Sequence, residues 1–187
     1  MRVLGLDPGS RRTGFGVVEG SGNQYRCVAR GVVRPPLKAS LADRLHSIAR
    51  RAGEVIDEFA PECVAVEEAF YHESVHSTLV LGHVRGALLV AAAERGVIIA
   101  EYTPREIKLS VAGNGGAAKE QVEFMVRRIL GIEGALEADA SDALATALCH
   151  LHRSKRPPAA RAASAAAENL IVLLARRGRT AGARNGR

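Results

Sequence analysis

The sequence predicts an α/β domain: a mixed five-stranded sheet, an antiparallel meander extended by parallel strands, flanked by helices. Three observations point to it. Residues 2–34 hold three short apolar runs divided by turn residues, the pattern of consecutive antiparallel strands. From residue 40 onward, helical and strand-like patterns alternate. Strands separated by helices join a sheet in parallel, through right-handed crossovers.

The first stretch, RVLGLDPGSRRTGFGVV, carries Val3, Leu4 and Leu6 up to Asp7, breaks at Pro8-Gly9-Ser10, and resumes with Thr13, Phe15, Val17 and Val18. Residues 24–34 supply the third strand and Arg34-Pro35-Pro36 a connector. Ser40 caps a helix reaching about Glu58, whose stripe of Leu41, Leu45, Ile48, Ala52, Val55 and Ile56 has helical spacing. Pro61 closes the turn. Glu62 to Val66 form a strand with Glu67 and Glu68 at its end, followed by Phe70, Tyr71 and His72. Residues 75–95 form an apolar helix with Gly82 and Gly86 one turn apart. That small-residue face serves helix-on-sheet packing, with a subunit interface as the alternative. A strand at 97–102 leads through Thr103-Pro104 into a short helix bearing Arg105 and Lys108. After the Gly113-Asn114-Gly115-Gly116 loop, Lys119 opens a helix to about Leu130. A lysine there opposes the helix dipole, which favours a phosphate or a carboxylate as its partner.

The 187 residues suffice for one domain with a good core, and 47% hydrophobic and 25% charged content is that of a soluble globule. The longest apolar run, Ala87 to Ala93, is far short of a membrane span, so no membrane partner is expected. No secretory signal is visible. Cys27, Cys63 and Cys149 make no disulfide or zinc pattern and read as buried thiols in a reducing cytoplasm. Residues 1–152 hold 17 Lys/Arg against 19 Asp/Glu, and residues 153–187 hold 9 against one. The basic character therefore belongs to the tail. The expected organisation is one globular domain, 1–152, and a flexible Ala/Arg-rich tail, 153–187.

Acids placed where strands end carry the chemistry. Asp is depleted in strands, yet Asp7 ends a run that looks buried, so its carboxylate must be paired, hydrogen-bonded or bound to a cation. A turn Asp bonding its own backbone fits this stretch equally well. Glu67 repeats the pattern, and open α/β sheets place ligands at the C-terminal ends of strands. Asp139 and Asp142 lie three apart ahead of an apolar helix and so share one face. One Asp there is explained as a cap; two repel each other unless a cation lies between them. Four carboxylates without a Cys or His triad form a hard-ligand set suited to Mg²⁺, or Mn²⁺ in its place. Two such ions about 4 Å apart activate a water and stabilise the leaving oxygen of a phosphodiester. Lys108 and Lys119 would then hold phosphates, and the aromatics after Glu67 would stack on bases.

The ordered set LGLDPGSRRTGFGVV, VAVEEAFY, SVHSTLVLGHVRGALL, GNGGAAKEQV and ADASDALATALCH resembles the bacterial Holliday-junction resolvase family RuvC over about residues 1–152. The resemblance implies a ribonuclease H-like fold and a homodimer. It also implies Mg²⁺-dependent symmetric nicking of four-way junction DNA, in cooperation with the RuvA–RuvB branch-migration complex in the cytoplasm. The family's four acids fall on Asp7, Glu67, Asp139 and Asp142; the third is His in some members, and Asp keeps the site all-oxygen. Its two lysines fall on Lys108 and Lys119 and its junction-wedging aromatic on Phe70. Tyr71 and Arg105 join Phe70 and the lysines as expected DNA contacts. The tail departs from the family pattern. Two rivals stand beside this reading: a YqgF-type ribonuclease H-like nuclease acting on RNA, and a junction-binding protein without activity. A sugar-kinase or actin-like ATPase also opens with such a turn, but needs two lobes where this chain has room for one.

Overall fold

The computed structural model describes residues 1–36, 38–68 and 74–154. Strands β1 (Arg2–Asp7), β2 (Thr13–Ser21) and β3 (Gln24–Val33) form the meander. Helix α1 (Leu41–Phe59) leads to β4 (Cys63–Glu67), α2 (Val75–Ala93) to β5 (Ile98–Tyr102), and α3 (Pro104–Ala112), α4 (Lys119–Leu130) and α5 (Ala138–Ser154) complete the described chain. The sheet order is β3-β2-β1-β4-β5, with β1 antiparallel to β2 and parallel to β4, and β4 parallel to β5. The predicted mixed five-stranded sheet is therefore present. Met1–His152 forms one compact unit.

Period-two alternation sorts the strand residues onto two faces. Leu4, Leu6, Val17, Val64 and Val66 pack with Ile48, Val55 and Ile56 of α1 and Val84 and Leu88 of α2. Val3, Val18, Cys63 and Ala65 pack on the opposite face with α5 residues Leu144, Ala147 and Leu148, and with Val122 and Val126 of α4. The core is thus two apolar layers, one on each side of the sheet. Helix ends follow local chemistry. Ser40 accepts from the Asp43 N–H at the start of α1, and Thr103 and Glu106 make a reciprocal capping box at α3. The end of α1 is turned by Ala60 in the left-handed region, at φ 44°.

Three expectations change. Helix α2 buries Val84, Leu88, Ala91 and Ala92, but Val75, Leu79 and Val90 are exposed, and nothing lies within 4 Å of a Cβ placed on Gly82 or Gly86. The glycine face is therefore not packed on the sheet as expected; it opens outward. Among the described residues α2 is also the one helix long and apolar enough, by length and composition, to cross a membrane. The longest unbroken apolar run understates it, because Gly, Ser and Thr interrupt the run without adding charge. Cys63 and Cys149 are buried, whereas Cys27, on the more accessible β3, is only partly so.

Candidate active site

The register of the central strands brings the first two acids together. Leu6 lies opposite Val66 across the parallel β1–β4 pair, so the next residue on each strand, Asp7 and Glu67, stands side by side at the sheet's C-terminal edge. Leu6 and Val66 face α1 and α2. Alternation then turns both carboxylates to the α5 side, a strand spacing of about 4.8 Å apart.

Helix α5 reaches them because glycines stand where its backbone crosses the sheet. A Cβ on Gly14 would fall 1.9 Å from the Asp139 carbonyl oxygen, and one on Gly5 would fall 1.9 Å from the Ala143 carbonyl. Gly14 is the β2 partner of Asp7. The glycines thus let the backbone of α5 lie directly on β1 and β2, and Asp139 and Asp142, one turn apart on α5, arrive beside Asp7.

The electrostatics register the convergence. Burial first, then the charges of Glu67, Asp142 and Asp139, push the Asp7 carboxyl up to about 8 despite Lys119 nearby. Burial and Asp142 push Glu67 up to about 7, opposed by Lys119 and Lys108. Burial and the shared field of the acids therefore hold Asp7 mostly protonated at neutral pH and bring Glu67 near its midpoint. Lys119 Nζ lies 2.7 Å from Asp142 Oδ2, which supplies the carboxylate partner expected for a lysine at this helix end. Helix α4 starts at Ala118 without a side-chain cap, so the positive end of its dipole also faces this region. A cleft of about 170 Å³ opens here, lined by Glu67, Lys108, Lys119 and Asp142 with Ile107, Val122 and Ala145 at its base.

Asp139 meets a cation that the sequence did not flag. Arg12 Nε lies 2.8 Å from Asp139 Oδ2, and the same guanidinium donates to Glu137 at 2.8 Å. Arg12 reads in the sequence as a turn residue, and only the docking of α5 brings it here. Among the described residues, no group of three or more His, Cys, Asp or Glu side chains is arranged to grip an ion as they stand. Asp139 is paired with Arg12 and Asp142 with Lys119. Arg105 lies exposed with its side chain against Gly115, away from the cleft lining. Phe70 and Tyr71 lie outside the described residues.

The donor set fits a hard divalent cation. It is all oxygen and largely buried, and a bound cation would offset the desolvation and mutual repulsion that raise Asp7 and Glu67.

Comparison with known proteins gives the family of the chain. The sequence profile of the family described as crossover junction endodeoxyribonuclease RuvC matches residues 3–150. The chain is 47% identical over 152 residues to the crossover junction endodeoxyribonuclease RuvC of Hyphomonas neptunium, covering 81% of this chain and 91% of that protein. It is 48% identical over 152 residues to the protein of that name from Bordetella avium, covering 81% and 84%. The structure of Thermus thermophilus RuvC in complex with a Holliday junction substrate is 39% identical and superposes with a TM-score of 0.79, covering 83% of this chain and 95% of that one.

Proposed function

Since this chain belongs to the RuvC family of crossover junction endodeoxyribonucleases, we propose that it resolves Holliday junctions by paired, symmetric hydrolysis of phosphodiesters in four-way DNA. One observation carries the reading. Asp7 and Glu67 stand adjacent on the α5 face, and burial first, then the charge of neighbouring acids, raises them to about 8 and about 7. Such a cluster costs stability and is explained by the cation it accommodates.

Asp7, Glu67, Asp139 and Asp142 are the residues that would hold Mg²⁺, with two ions as the family likeness implies. When bound, Mg²⁺ supplies an activated water and neutralises charge on the reacting phosphate. The protein's own contribution is then positional. Burial favours the protonated form of Asp7, raised to about 8, more than that of Glu67, at about 7, and a bound cation would favour the ionised form of both. Lys119 offsets the charge of Asp142 and, being exposed, can turn to a DNA phosphate. Lys108, across the cleft, binds the same strand. The uncapped start of α4 adds backbone N–H groups and a positive dipole end for phosphate oxygens.

Symmetric cuts need two such sites, and the described residues of one chain form one. The open α2 face, with Leu79, Gly82, Gly86 and Val90 in line, supports a homodimer built on that helix. Phe70, Tyr71 and Arg105 complete the proposed junction contacts. The tail, 153–187, adds sequence-independent phosphate attachment. The setting is the cytoplasm, alongside RuvA–RuvB.

The deciding experiment incubates the full chain with a synthetic four-way DNA junction, linear duplex DNA and linear RNA, with Mg²⁺ and with EDTA. Paired nicks in the junction, dependent on Mg²⁺, are expected. Cleavage of RNA alone favours the YqgF-type reading, and junction binding with no product favours an inactive scaffold; either outcome overturns this one.

A further inference from the structure

Two of the four acids are held by cations from neighbouring elements. Lys119 on Asp142 belongs to the site already described. Arg12 on Asp139 does not. Arg12 sits in the turn between β1 and β2 and spans two carboxylates at the start of α5, with Nε 2.8 Å from Asp139 and Nη2 2.8 Å from Glu137. Glu137 also pairs with Arg34, just beyond β3. The Arg12 side chain is 48% exposed and that of Asp139 26%. The contact therefore borders the acid cluster on one side and solvent on the other.

We propose that Arg12 is a positioning residue that holds Asp139 off the metal in the DNA-free protein and transfers to a DNA phosphate when a junction binds. A guanidinium and a divalent cation compete for the same carboxylate oxygen and repel each other across it. The hold is reversible, because an ion pair this exposed is screened and shifts an equilibrium by only roughly two- to five-fold. A phosphate is the partner a guanidinium binds in the same forked manner as a carboxylate. Arg34 makes the transfer inexpensive: when Arg12 leaves, Glu137 keeps a partner. DNA then frees Asp139 for the ion, and by reciprocity the ion favours DNA binding by the same factor.

The inference rests on Asp139 being a metal ligand, and the test separates the two claims. Mn²⁺ affinity of the DNA-free full chain is measured by electron paramagnetic resonance for wild type, Arg12→Gln, Asp139→Asn and the double variant. Arg12→Gln is expected to tighten Mn²⁺ binding roughly two- to five-fold. Asp139→Asn weakens it, and the double variant matches Asp139→Asn. If Asp139→Asn changes nothing, the ligand reading is wrong. If it weakens binding while Arg12→Gln has no effect, or if the Arg12 effect persists without Asp139, the ligand reading stands and the clasp is wrong. In EDTA, the logarithmic salt dependence of junction binding should be shallower by about one for Arg12→Gln; an unchanged slope overturns the transfer to DNA.

Discussion

Replacing Gly14 by Ala tests whether close helix–sheet contact is what assembles the acids. Gly14 lies in an extended strand, outside the left-handed region, so Ala carries no backbone penalty there. Its methyl would fall 1.9 Å from the Asp139 carbonyl oxygen, against the 3.4 Å at which ordinary contact begins, a shortfall of about 1.5 Å. The neighbour is helix backbone, which cannot rotate aside, so α5 must lift from β2. Asp139 and Asp142 move with it, away from Asp7. Overpacking of this kind costs about 1–3 kcal/mol, and a chain of this size loses about 2–4 °C of Tm per kcal/mol. A displacement near 1 Å at reacting groups costs about 10²-fold in rate. Single-turnover cleavage of a four-way junction at saturating Mg²⁺ should therefore fall about a hundredfold while junction affinity changes little. Wild-type cleavage by a variant of unchanged Tm would refute the reasoning.

The remaining predictions follow from charge and surface. In metal-free protein, Asp7 rises from 3.8 to about 8 on folding, so the folded state retains a proton that the unfolded chain gives up, and stability falls as pH rises across that window. Asp7→Asn removes this dependence. Its stability advantage over wild type in EDTA should grow from pH 5 to 8, by an amount on the order of a few kcal/mol, and parallel curves would contradict the role of the buried charge. With Mg²⁺ the same variant should lose cleavage and keep junction binding, as gel shift and nicking assays would show. Lys119→Ala should slow cleavage more than it weakens binding; equal losses would reduce Lys119 to a phosphate anchor. Leu79→Glu, on the open α2 face, should give a folded monomer in sedimentation, and an unchanged dimer would move the interface elsewhere.

The sequence displayed the parts of this site better than their assembly. Strand endings marked Asp7 and Glu67, because a carboxylate after an apolar run is legible without coordinates. Their adjacency was not: it depends on β4 joining β1 in parallel with Leu6 opposite Val66, and many strand orders fit the same pattern. The glycines near Asp7 do not name what they admit, since a ligand and a helix backbone both require a missing Cβ. Gly82 and Gly86 were equally ambiguous, and only the packing of α2 shows their face open. Arg12 gave no signal, because its partners Glu137 and Asp139 lie far along the chain and meet it only when α5 docks. The turn at Ala60 was expected from Pro61, although the residue that takes the left-handed conformation is an alanine.

The most direct measurement is anomalous diffraction from a crystal of the full chain soaked in Mn²⁺. The account predicts ion peaks enclosed by the carboxylates of Asp7, Glu67, Asp139 and Asp142, with Arg12 displaced from Asp139. Ions bound only elsewhere, or none in a crystal whose acid cluster is open to solvent, would contradict it.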